Sequence, residues 1–233
     1  MIYNIEPGTF GGPARNGDIV AIINVIQHLR FAKPNLRFYM KPGTISSDDY
    51  CQKFFQYLCK TNDFFSPTQG TESLNWRKVN LWDFRDIIGD NVSIKNPDTM
   101  VNKIVIFPVT DAPYNTYRNW TPDVLPKVIG EFSRPEYMNY EKLICVKEPL
   151  KEKYDGWTYS TDMIENIRHI NTAKVYVGGD TGTSHYTWSL DRGPETMIYY
   201  NSSRGLIHTL PFYITKGKGE LRTYWLDFEG TIW

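Results

Sequence analysis

Apolar residues recur at Ile19, Ile22, Ile23, Ile26 and Leu29, a spacing that turns one stripe of a helix inward. The predicted helix opens near Gly17 and stops at Lys33-Pro34-Asn35, since proline cannot continue it. Short apolar runs at 1–5 and 36–40 predict strands on either side. A Gly- and Pro-rich loop over 6–16 joins the first of them to the helix. A second helix is expected over 48–60, with Ser46 or Ser47 as its cap, and a third strand over 78–81. Residues 64–76 carry no clear period.

Asn96-Pro97-Asp98 breaks the pattern and marks an expected domain boundary, with lobes at 1–97 and 98–233. Beyond it, strands are expected at 103–107, 142–146, 174–177 and 196–200. Helices are expected at 122–132, with Thr121 as cap and Pro122 in first position, at 161–170 and at 183–190. The tail from 216 is aromatic and strand-like. This alternation implies an α/β fold of two Rossmann-like lobes, each a parallel sheet flanked by helices. Ligands of such sheets sit beyond the carboxyl ends of the strands. The loop before Asp18 and the turn around Asp180 fall at that edge.

Composition narrows the function classes. The 26 basic and 26 acidic residues cancel, so a nucleic-acid partner would need a local patch. Arg30, Lys33, Arg37 and Lys41 form one cluster, and Lys216, Lys218 and Arg222 another. A solvated surface is the simpler account of both. The 3 cysteines are scattered and the histidines number 4, which disfavours a disulfide framework or a zinc cluster. No run approaches the roughly 20 apolar residues of a membrane span. The first residues lack a basic and apolar leader, so a cytoplasmic protein is expected.

The most informative stretch is Val177-Gly178-Gly179-Asp180-Thr181-Gly182-Thr183-Ser184-His185. A strand ends on two glycines, and a hydroxyl-rich turn opens a helix near Thr183. Unpaired amides and the helix dipole at such a start attract phosphate. The P-loop pattern is absent, Gly8-Thr9-Phe10-Gly11-Gly12 is not a dinucleotide fingerprint, and no Asp-x-Asp occurs. Metal-free binding of phosphate by amides and a cation remains.

Three segments in order resemble the bacterial lipopolysaccharide heptosyltransferases, glycosyltransferase family 9 of the GT-B fold. They are Gly17-Asp18-Ile19-Val20, then Ile104 to Pro108 with Arg118-Asn119-Trp120, and the turn from Gly178 to His185. Thr121 stands where the family has proline after the tryptophan, and Val109 where it has glycine. The resemblance implies a reduced GT-B arrangement with an acceptor-side first lobe and a nucleotide-sugar-binding second lobe. It implies an inverting, metal-independent glycosyltransferase that needs no cofactor beyond its donor substrate, a nucleotide-sugar.

The resemblance also supplies roles. Asp18 matches the proposed base, and Arg118 the phosphate-binding lysine. Gly179, Asp180, Thr181, Gly182, Thr183, Ser184 and His185 match the donor motif, with Asp180 and His185 holding sugar hydroxyls or orienting the loop. Apart from the resemblance, Glu6 and Arg15 in the first loop are within reach of an acceptor, though loops often carry such residues without function. Tyr114, Tyr117 and Trp120 either stack on a base or pack in the core. His28 reads as structural. The acceptor is either a glycan or a hydroxymethylated base in DNA, the latter in keeping with a compact phage enzyme. The bland alternatives are a helix-dipole carboxylate at Asp18, a capping turn at Asp180 and a surface charge at Arg118. A non-catalytic nucleotide- or sugar-binding protein, or a nucleotide-sugar epimerase, would share these features.

Overall fold

The computed structural model describes residues 1–5, 13–63, 65–74, 94–109, 118–201 and 220–225. Glu6, Tyr114, Tyr117, Lys216, Lys218 and the strand expected over 78–81 lie outside them, as does the side chain of His28.

The chain divides into two units, Met1–Pro97 with Trp188–Arg192, and Asp98–Thr187 with Gly193–Trp233. In the first, strands β1 (Ile2–Ile5), β2 (Arg37–Met40) and β3 (Glu72–Leu74) form a parallel sheet ordered β2-β1-β3. Helix α1 (Asn16–Ala32) buries Ile19, Ile22, Ile23 and Ile26 completely, while Leu29 is half-buried. Helix α2 (Asp49–Thr61) buries Cys51, Phe54 and Leu58. Its cap is Asp48 rather than Ser46 or Ser47. The Asp48 carboxylate accepts from the amides of Tyr50 and Cys51 at 3.0 and 3.3 Å, which a carboxylate at the helix's positive end does better than a hydroxyl. Strand β3 falls inside the stretch without period, because only three residues long it shows no alternation.

The second unit contains strands β4 (Val101–Ile106), β5 (Glu141–Cys145), β6 (Thr158–Ser160), β7 (Ala173–Gly178), β8 (Thr196–Asn201) and β9 (Glu220–Trp225). All pair in parallel, in the order β6-β5-β4-β7-β8-β9. Numbered within the sheet this is 3-2-1-4-5-6, the doubly wound order whose crevice opens between the first and fourth strands. Here those strands are β4 and β7. Ile104, Val105, Ile106 and Tyr176, Val177 are buried, as expected for strands covered on both faces.

Helix α3 (Val124–Glu131) begins later than its sequence suggests. Val124 donates to the Thr121 carbonyl at 3.0 Å, and the Thr121 hydroxyl donates to the Asp123 carboxylate. Thr121–Pro122 thus form a turn, and Asp123 takes the cap position. Helix α4 (Met163–Thr172) is capped by Asp162 through the amides of Ile164 and Glu165 at 2.9 and 3.0 Å. Helix α5 (Gly182–Ser189) follows β7 after a three-residue turn. Among the described residues no helix is long and apolar enough to cross a membrane.

Candidate functional site

The end of β7 is a place where backbones must come close. A Cβ on Gly179 would stand 2.7 Å from Val109 Cγ2, 3.0 Å from the Tyr200 carbonyl and 3.2 Å from Trp120 Nε1. A Cβ on Gly178 would stand 2.6 Å from the Tyr176 hydroxyl. Gly179 therefore lets the chain following β4 lie against the chain leaving β7, and Gly178 leaves room for the Tyr176 phenol. Phe107 donates to the Val177 carbonyl at 2.7 Å, and Trp120 donates to the Val109 carbonyl at 2.7 Å. The Trp120 indole is buried in the core and its Nε1 donates to the Tyr200 carbonyl at 3.2 Å. That settles Trp120 as core rather than a base platform.

Anchoring Trp120 fixes Arg118 two residues earlier. Its Nε lies 3.1 Å from Asp180 Oδ2, out of hydrogen-bond alignment, and its Nη1 donates to the Asp180 carbonyl at 3.5 Å. On the other side His185 Nε2 lies 3.4 Å from Asp180 Oδ1. The Asp180 side chain is 2% exposed, while Arg118 and His185 are 31% and 28% exposed. Asp180 is thus a buried anchor for two partly open cationic or proton-donating groups. The Arg118 guanidinium offsets the charge of Asp180 beside the start of α5.

The hydroxyl groups of the turn contact one another. Ser184 Oγ donates to the Gly179 carbonyl at 2.5 Å, closing the turn. The buried Tyr176 hydroxyl lies 2.8 Å from Ser184 Oγ and 3.1 Å from Thr183 Oγ1. Thr181 Oγ1 lies 3.0 Å from Thr183 Oγ1. Burial pushes the Tyr176 phenol up to about 12, so it remains a neutral hydroxyl. The Tyr199 phenol is likewise raised by burial, and it donates to the Ser184 carbonyl at 3.4 Å. Thr183 and Ser184 are buried, whereas Thr181, Gly182 and His185 are half-exposed. The partly open positions of the turn are thus Thr181 and Gly182, with Arg118 and His185 beside them.

The structure therefore brings together Arg118, Gly179, Asp180, Thr181, Gly182, Thr183, Ser184 and His185. Asp18 and Arg15 form a separate group in the first unit. The half-buried Asp18 sits in the first turn of α1, where its Oδ2 accepts from the amide of the exposed Arg15 at 3.1 Å. Sequence reasoning did not single out Tyr176. A tyrosine between two valines reads as core, and only its spacing to Thr183 and Ser184 across a tight turn hints at a polar role.

Two helix-flanked, all-parallel sheets, the larger with its switch point at this turn, define an α/β fold of two Rossmann-like units. It is a heptosyltransferase-like fold. Among solved structures, the E. coli heptosyltransferase WaaC with ADP matches at a TM-score of 0.50 and 14% identity, covering 87% of this chain and 88% of that one. No protein-family model matches the sequence, and no curated protein does.

Proposed function

We propose that the protein is an inverting, metal-independent glycosyltransferase that moves a sugar from a nucleotide-sugar to an acceptor hydroxyl. The observation that carries this reading is the Arg118–Asp180 pair beside the start of α5, at the β4/β7 switch point. The same fold in a heptosyltransferase solved with ADP supports it. The donor's diphosphate would lie against the amides of Thr181–Ser184, which have no partner within a helix. Arg118 would grip its oxygens and stabilise charge as the nucleoside diphosphate departs. Asp180 would keep Arg118 and His185 in place, with His185 turned to the donor. Asp18 would take the proton from the acceptor hydroxyl as that oxygen attacks the anomeric carbon from the opposite face. Arg15, and Glu6 beyond the described residues, would contact the acceptor, a glycan or a hydroxymethylated DNA base.

A second reading rests on the Asp18–Arg15 contact. Capping α1 accounts for Asp18 without chemistry, as in a binding protein that turns nothing over. Hydrolysis and transfer across a panel of nucleotide-sugars, with core glycans and hydroxymethylated duplex DNA as acceptors, separates the two. The enzyme reading expects Asp18→Asn to lose about 10²- to 10⁴-fold in turnover while still binding nucleoside diphosphate. Undiminished turnover removes Asp18 as base. Binding without turnover by wild type favours the second reading, and no binding of any nucleoside diphosphate overturns both.

A further inference from the structure

Four hydroxyl groups of the β7–α5 turn form one chain, and counting their hydrogens fixes its direction. Ser184 Oγ has one hydrogen, and it goes to the Gly179 carbonyl, which accepts only. In the 2.8 Å contact between Tyr176 and Ser184, the tyrosine must then donate. With that hydrogen used, the 3.1 Å contact between Tyr176 and Thr183 requires Thr183 to donate. The 3.0 Å contact between Thr183 and Thr181 in turn requires Thr181 to donate. Its longer 3.4 Å approach to Ser184 asks for the same Thr181 hydrogen, since Ser184 has none left. The chain therefore runs Thr181 to Thr183 to Tyr176 to Ser184 to the Gly179 carbonyl.

Thr181 is the half-exposed end of this chain. Its hydrogen points inward, so it offers lone pairs to whatever lies above the turn. A phosphate oxygen also brings only lone pairs and gains nothing from this side chain. A sugar hydroxyl brings a hydrogen. We propose that Tyr176 is a positioning residue that polarises the turn, so that the Thr181 side chain accepts from a hydroxyl of the donor's sugar while the amides hold the phosphates. This rests on the nucleotide-sugar reading of the same turn. It assigns discrimination between a nucleoside diphosphate and its sugar conjugate to a phenol with no exposed surface.

Calorimetric titration of wild type, Tyr176→Phe, Thr181→Val and Thr181→Ser tests it, with the pairs ADP and ADP-glucose, UDP and UDP-glucose, and GDP and GDP-mannose. For the pair that binds wild type, Tyr176→Phe and Thr181→Val are expected to lower the conjugate-to-diphosphate affinity ratio about three- to tenfold. For Tyr176→Phe, affinity for the diphosphate alone should hold within about twofold. Thr181→Ser should keep the wild-type ratio. A purely structural Tyr176 would lower the melting temperature and leave the ratio unchanged, which overturns the proposal and spares the donor reading. Thr181→Val reports the same ratio while leaving the buried phenol in place, and an unchanged ratio there is equally fatal. If wild type binds no member of any pair, the donor reading fails and this proposal with it.

Discussion

Arg118 and Asp180 form an ion pair in which the carboxylate is 2% exposed and the guanidinium 31% exposed. The two members therefore have unequal duties. The carboxylate depends on its partners for compensation, and the guanidinium is partly open to solvent. Arg118→Ala should cost about 1–3 kcal/mol by urea unfolding, because it leaves a buried charge short of its counter-ion. Adding Asp180→Asn should recover most of that loss. Nucleoside diphosphate affinity should stay down in both variants. If the double variant regained binding together with stability, Arg118 would have no direct phosphate role.

Two glycines should respond in opposite ways to the same added methyl. Gly179→Ala drives a Cβ to 2.7 Å from Val109 and wedges it beside the Trp120–Tyr200 hydrogen bond. It should destabilise by about 1–3 kcal/mol, and loosening Trp120 should also weaken diphosphate binding through Arg118. Gly130 lies in α3 with nothing within 4 Å of its added Cβ. Gly130→Ala should stabilise by about 0.4–1 kcal/mol. Melting temperatures of the two variants against wild type check both signs.

Helix capping gives a further prediction. Asp48→Ala removes two amide contacts at the start of α2 and should cost about 1 kcal/mol. Ser47→Ala should be within about 0.5 kcal/mol of wild type by the same denaturation measurement.

The α/β alternation and the β7–α5 turn were legible because both are local. Ile19 to Ile26 repeat at helical spacing, and Gly178-Gly179 followed by Asp180-Thr181-Gly182 compresses strand end, turn and helix start into a few residues. Short strands such as β3 and β6 escaped, since a sheet can recruit three residues by backbone pairing alone. The starts of α2 and α3 were misplaced because Ser46, Ser47, Asp48, Thr121 and Asp123 all suit a cap, and the sequence does not say which of several adjacent candidates closes the turn. Asp180 as an anchor for Arg118 was also beyond sequence. The two are 62 residues apart and meet only because β4 and β7 are neighbours in the sheet.

At the opposite end of that sheet, the half-buried His169 beside Lys103 is expected to make stability depend on pH. The buried Lys103 ammonium has three protons and three acceptors, Glu141 Oε2 at 3.1 Å, Thr172 Oγ1 at 3.0 Å and His169 Nδ1 at 3.3 Å. An ammonium only donates, so Nδ1 must be unprotonated in the fold. Burial first, and the Lys103 charge second, hold the His169 imidazole below its usual 6.5, against smaller opposing effects of Glu141 and Glu165. The unfolded chain then binds the proton more readily than the folded one. Stability attributable to this group is present above pH 6.5 and falls as pH drops through the depressed folded value. His169→Gln cannot titrate and should flatten this part of the profile. Urea midpoints between pH 7.5 and 5, as roughly the window linkage sets, should therefore decline more steeply for wild type than for His169→Gln. Parallel profiles would mean that His169 protonates equally in both states, and that Lys103 is held by Glu141 and Thr172 alone.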